Sequence, residues 1–399
     1  MRRWFQLSLL FFAVAATIGA LLRLIYVVEL PWLVFKPWLH AHSHVAMLGW
    51  LFPGLLIALL RQDDRPAPRR FRTWMTLSMA FVVGMLVSFP IQGYGPISIA
   101  CSLAQMFVGY ALSVQVWRHT SRWPVAGSRL LVRLALLFQA ISTIGVWAMG
   151  PIMHSGLAGS EWYYWSIQWF LHFQFNGWFW FAAMAIGSRW AERHGVDVQL
   201  DRLTVFLWVI GTVLTFALAI AWSERTIGVI AVNSVGVLVQ AWAAWRTLRA
   251  MQHARPQAQV RTTRWMRIVI GTMLIAMAVK VAAQAAASIP AVADIAVTLR
   301  NYVVGFVHLN TIGAATMVLM AFALERRWLD EACAPVRAGL ALLIAGFAFS
   351  ELLLFGQGTL IWIRWGMLPG YHWMLFAVSA MLPIGVLLLV AGSRSGENV

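Results

Sequence analysis

The sequence predicts an all-α fold, a polytopic transmembrane helix bundle of about twelve helices with both termini in the cytoplasm. Of the 399 residues, 61% are hydrophobic and only 11% are charged, whereas a soluble domain carries about a quarter charged residues. The mean hydropathy is +0.74. Apolar runs long enough to span a bilayer recur along the whole chain with short loops between them. We therefore expect the lipid bilayer to be the solvent of this protein.

We expect residues 1–399 to form a single integral membrane domain. The first apolar run follows Met1-Arg2-Arg3 and has the look of a signal peptide, but it is long enough to span, so we interpret it as a helix and not as a cleaved leader. The predicted spans are 5–29, 40–60, 73–92, 96–117, 130–149, 162–187, 203–222, 226–245, 268–287, 300–322, 338–356 and 371–392.

The basic residues predict the orientation of the chain. With the N-terminus in the cytoplasm, the cytoplasmic loops and termini hold 23 of the 30 basic residues. The opposite loops hold only Lys36, Arg225, Arg300 and Arg364. This imbalance follows the positive-inside rule, so we expect a bacterial inner-membrane protein. It also accounts for the net charge of +16 without a nucleic-acid partner.

The ten histidines fall into two groups. Three of them, His119, His194 and His253, lie in arginine-rich cytoplasmic loops, and we assign them no role. The other seven lie at outer helix ends, in an outer loop or in the outer half of a span. They are His40, His42, His44, His154, His172, His308 and His372.

Histidines on four spans at the same side of the membrane indicate a metal or haem site. Ionisable side chains inside hydrocarbon are costly, and neutral imidazole is a common ligand of iron, copper and zinc. A polar substrate cavity and ordinary bonding between helices are the alternatives. Residues two apart in a helix point about 200° apart, so His42 and His44 are expected to face different sites, whereas His40 and His44 can share one.

Three segments carry a resemblance to known membrane proteins. LHAHSHVAMLGWLFPGLLIALL (39–60) resembles the haem-ligating helices of haem-copper oxidases and nitric oxide reductases, and also the HAHEM-type helix of the NnrS family. HLNTIGAATMVLM (308–320) is similar to a later NnrS helix. HFQFNGWFWFAAMAIG (172–187) is similar to an oxidase helix that supplies a copper ligand. NnrS proteins are twelve-span haem- and copper-containing proteins connected with the response to nitric oxide.

The resemblance implies one or two haem b groups, with copper as a further cofactor. Its cofactor-binding residues would be His42 or His44 with His308, and Asn176 and Asn310 would supply polarity beside a bound gas. A second metal site would draw on His40, His44, His172, His372 and His154. The sequence lacks C-x-x-C-H, so any haem is expected to be non-covalent. Nitric oxide or oxygen would be the gaseous ligand, and quinol or a cytochrome would supply electrons.

The chain also departs from the oxidase pattern. Span 203–222 has no histidine, where the oxidases carry an adjacent pair for copper, and span 300–322 has only His308. A standard copper centre is therefore not expected, and turnover as an oxidoreductase stays open. A twelve-span transporter or metal- or haem-handling permease is one alternative. A haem-based sensor or assembly factor without turnover is another.

Overall fold

The computed structural model of this protein is all-helical, as the sequence predicts. It describes residues 1–196, 198, 200–224, 226–254 and 262–394. Arg225, one of the outer basic residues counted above, and part of the arginine-rich loop before Arg264 lie outside the described residues. Within the described part of the chain there are thirteen helices.

The helices follow one another along the chain with short connections. They are α1 (Arg2–Leu24), α2 (Phe35–Leu60), α3 (Phe71–Gln92), α4 (Pro96–Thr120), α5 (Ala126–His154), α6 (161–193), α7 (Arg202–Ile220), α8 (Ile227–His253), α9 (Arg264–Ala286), α10 (Pro290–Thr298), α11 (Arg300–Glu325), α12 (Ala334–Trp362) and α13 (Tyr371–Arg394).

Eleven of the described helices are long and apolar enough to cross a membrane. The predicted span 162–187 lies inside α6, which is helical throughout but is not among the eleven. Tryptophans, tyrosines, amides and His172 replace aliphatic residues over much of this helix and lower its hydropathy. The short helix α10 was not predicted, because nine residues are too few to span. Membrane-spanning helices imply a lipid bilayer around the protein.

The chain divides into two compact units. Unit 1 contains residues Met1–His119, Thr263–Thr272 and Thr316–Val399, and unit 2 contains Thr120–Thr262 and Met273–Ala315. Helices α9 and α11 therefore each contribute to both units. His40, His42, His44 and His372 belong to unit 1, whereas His154, His172 and His308 belong to unit 2.

Aromatic side chains are the largest fully buried side chains in both units. In unit 1 the Trp50 ring stacks on Phe12 with 5.1 Å between centroids, and its indole N–H donates to the Thr316 hydroxyl at 2.9 Å. In unit 2 Trp180 packs on Trp208, also with 5.1 Å between centroids. These contacts hold α1, α2 and α11 together in one unit and α6 and α7 in the other.

Candidate histidine sites

Three helices change from α- to π-helical geometry immediately after a histidine. The π-helical segments are Val45–Leu51, Phe173–Phe179 and Leu309–Thr316, and they follow His44, His172 and His308. In each case a glycine stands five residues after the histidine, in the sequences HVAMLG, HFQFNG and HLNTIG. Single π turns inside α-helices occur frequently at functional sites. The structure thus singles out these three histidines from the other seven.

The protonation state of the two His44 ring nitrogens is defined by a hydrogen bond. Its Nδ1 lies 2.8 Å from the carbonyl oxygen of His40, one turn earlier in α2. A carbonyl oxygen can only accept, so Nδ1 carries the proton and Nε2 keeps its lone pair. Ligating histidines in metal sites are commonly oriented by such a bond. His44 therefore fits the role of an axial nitrogen donor to a haem or metal.

His40 and His44 share one aromatic environment. The His44 ring lies 4.4 Å from the Phe89 ring, and the His40 ring lies 4.6 Å from that of Tyr94, measured between centroids. Each histidine ring also contacts the other aromatic ring of this pair. Their i, i+4 spacing on α2 brings them to the same face.

His42 faces the opposite direction, toward α1. Its Nδ1 lies 2.7 Å from the carbonyl oxygen of Ala15. A Cβ added at Gly19 would come within 2.8 Å of Cε1 of the His42 ring. The small residue on α1 thus makes room for this imidazole. His42 and His44 contact different helices, which is the arrangement that their spacing predicts.

His172 uses both ring nitrogens in hydrogen bonds within the protein. Nε2 donates to the carbonyl oxygen of Thr212 at 2.8 Å, and Nδ1 accepts from the Asn176 amide at 3.3 Å. The Asn176 oxygen in turn accepts from Gln284 at 3.3 Å. A neutral imidazole has one donor and one acceptor, so both are satisfied. His172 stays a predicted metal ligand, but binding a metal requires it to release one of these bonds.

Asn310 and His308 lie at the start of the third π-helical segment. The Asn310 amide donates to the carbonyl oxygen of Phe306 at 2.7 Å, one turn earlier in α11. Its polar group is thus turned back on its own helix. His308 is half-buried and is the last residue of the first α-helical part of α11, before the π-helical segment.

The two remaining outer histidines lie at helix ends. His154 is exposed at the C-terminal end of α5. His372 is the second residue of α13, and its ring stacks on that of Tyr26 with 5.1 Å between centroids. Across the residues that the structure describes, no three His, Cys, Asp or Glu side chains form a group that could hold a metal ion. The predicted second metal site stays a prediction.

Glycines close to the histidines are used for helix packing. A Cβ at Gly49 would meet Phe11 and Val82 at 3.0 Å, and one at Gly177 would meet Phe138 at 2.6 Å. A Cβ at Gly54 would meet Leu319 at 2.6 Å. The space beside these glycines is filled by protein side chains and is not open to a flat macrocycle.

Comparison with known proteins identifies the fold and nothing finer. The sequence matches no protein-family model and no curated protein. It does match a solved structure, described as "Cryo-EM structure of a heme-copper terminal oxidase dimer provides insights into its catalytic mechanism". That match has a TM-score of 0.60 at 10% sequence identity, and it covers 100% of this chain and 84% of the other. The chain is therefore a multi-pass membrane protein with a haem-copper-oxidase-like fold.

Proposed function

We propose that this chain is a haem-binding integral membrane redox protein, related in its chemistry to oxygen or nitric oxide and closer in plan to NnrS than to a proton-pumping oxidase. The observation that carries the proposal is the His44 imidazole. The His40 carbonyl holds a proton on its Nδ1, at the start of a π-helical segment, in a fold shared with a haem-copper oxidase.

The proposed haem ligand is His44, with His42 as the alternative second-span ligand. The pairing with His308 stays a prediction from the sequence. A haem held by imidazole ligands would supply electron transfer. The protein's own contribution is to fix the tautomer of His44 and to surround its ring with Phe89 and Tyr94. These aromatic rings reduce the contact of the imidazole with water.

Copper would require a second donor set, for which we propose the remaining predicted ligands. His40 stands beside His44 on α2, and the roles of His172, His372 and His154 as ligands stay predictions. Of these, His172 would have to release Thr212 or Asn176 first. Asn310 and Asn176 stay the proposed polar groups beside a bound gas. Electrons would come from quinol or a cytochrome, and both termini would lie in the cytoplasm of a bacterial cell.

The optical spectrum of the detergent-purified protein tests this proposal. We expect sharp bands of b-type haem after dithionite reduction, with stoichiometric iron in the same sample. The His44→Ala variant should lose or shift these bands, because the ligating nitrogen is removed. The matched control is His253→Ala, which removes an exposed histidine at the C-terminal end of α8 and should leave the spectrum unchanged.

A colourless protein without stoichiometric iron would refute the haem proposal. The histidines would then be studied as a transport site of a metal- or haem-handling permease. Haem bands that survive His44→Ala would exclude this ligand and direct attention to His42. Haem bands without any response to carbon monoxide or nitric oxide would favour electron transfer or assembly over gas chemistry.

A further inference from the structure

Lys280 is a fully buried amine in the middle of unit 2. It lies on α9, and only 1% of its surface is exposed. Its Nζ lies over the ring of Trp180, 4.2 Å from the centroid. Among the residues that the structure describes, Nζ has no hydrogen-bond partner and no carboxylate within salt-bridge distance. Such a group needs an explanation, because buried amines are normally paired.

Trp180 adds a second donor at the same place. Its side chain is 4% exposed, and its indole Nε1–H has no acceptor within the described part of the chain. The Trp208 ring packs against it and donates its own N–H elsewhere, to the Thr247 hydroxyl. Lys280 and Trp180 thus bring an ammonium and an indole N–H together in an apolar interior.

Both groups can only donate hydrogen bonds. Ammonium has three donors and no acceptor, and indole has one donor. The face of an indole attracts a cation, but it provides neither a counter-charge nor an acceptor for Nε1–H. His172, which lies within electrostatic range of Lys280, has both nitrogens bonded to Thr212 and Asn176. Among the described residues, no negatively charged acceptor pairs with the Lys280 amine.

We propose that Lys280 and Trp180 form a binding site for a small monovalent inorganic anion of halide size. A single cation matches a single negative charge, and tight burial excludes a large organic acid. The indole N–H would hold the anion at the ring edge, and the flexible lysine stem lets the ammonium reach it from above the ring. The proposal goes beyond the redox function and does not require a bound haem.

The chain offers a clean experiment, because Lys36 and Lys280 are its only lysines. The full-length protein is purified in detergent with gluconate as the only anion, and bromide is then added at constant ionic strength. We expect a saturable rise of the thermal unfolding midpoint by at least about 2 °C, because a ligand that binds only the folded state stabilises it. Lys280→Met should abolish the rise, whereas the matched control Lys36→Met should retain it.

A second variant keeps the test decisive if Lys280→Met does not fold. Trp180→Phe keeps the ring but removes the N–H donor, and it should weaken the bromide response at least fivefold in concentration. Anomalous scattering from bromide-soaked crystals should place a bromide between Nζ and Nε1. A bromide response that is absent from the native chain, or equal in Lys280→Met, would overturn the proposal. The proposal would also be overturned if Lys280 were found uncharged, with no anomalous peak beside it.

Discussion

A close backbone contact between α5 and α6 is expected to control both stability and the His172 site. Gly145 of α5 faces the backbone of α6, and a Cβ added there would lie 2.2 Å from the carbonyl oxygen of Ser166 and 3.1 Å from the nitrogen of Phe170. A carbon–oxygen contact needs about 3.3 Å. Gly145→Ala must therefore move the two helices apart by about 1 Å, because backbone atoms cannot rotate out of the way.

The size of the effect follows from two opposing terms. Overpacking costs typically about 1–3 kcal/mol, whereas alanine is favoured over glycine in a helix by about 1 kcal/mol. Gly187→Ala in α6 is the matched control, since a Cβ there meets nothing within 4 Å. This variant should gain only the helix preference of alanine over glycine. We expect the free energies of unfolding of the two variants to differ by about 1–3 kcal/mol.

Thermal unfolding in detergent, followed by tryptophan fluorescence, measures this difference. The Gly145→Ala protein should unfold several degrees below the Gly187→Ala protein. The same displacement should lengthen the 2.8 Å bond from His172 to Thr212, which the nitrogen chemical shifts of labelled histidine report. Equal unfolding temperatures for the two variants would refute the reasoning, because the backbone contact would then not be close in the folded protein.

Two further predictions concern single hydrogen bonds. Asp201 caps α7 by accepting from the Thr204 backbone nitrogen at 2.9 Å, so Asp201→Ala should cost about 0.5–2 kcal/mol at neutral pH. Hydrogen bonds from Thr204, together with Arg246, hold the pKa of Asp201 below its ordinary value. The advantage of the native chain should therefore shrink below about pH 4, and a constant gap across a pH series of unfolding curves would contradict this. Trp50→Phe removes the donor to the buried Thr316 hydroxyl and should cost about 1–3 kcal/mol, whereas the exposed control Trp242→Phe should have little effect in the same assay.

Much of the helical plan could be predicted from the sequence, because the bilayer imposes a length and an apolar composition on each span. Eleven predicted spans correspond to helices that meet these criteria. The helices often extend past the predicted ends, as α5 does by covering Ala126–His154 where 130–149 was predicted. We expect these ends to lie in the headgroup region, where polar residues are tolerated and hydropathy no longer marks the boundary.

The candidate site could be predicted only in part. The separation of His42 from His44 follows from helical geometry and is seen in the structure. The hydrogen bond from His172 to Thr212 could not be predicted, because the sequence does not show which backbone carbonyl of another helix a side chain contacts. The His-x4-Gly spacing, in contrast, is present in the sequence of three spans. Its association with a π-helical segment in each span is seen only in the structure.

The π-helical segments also determine how this chain tolerates insertions and deletions. A π turn holds about one residue more than an α turn, so each segment is equivalent to one residue inserted into an ordinary helix. Deleting one residue within Val45–Leu51 would restore an α-helix of nearly unchanged length. Everything beyond the deletion would then keep nearly its present orientation relative to His44, whereas a deletion in a regular α-helical stretch would rotate it by about 100°. The histidine and the Trp50–Thr316 contact would therefore still face their present partners.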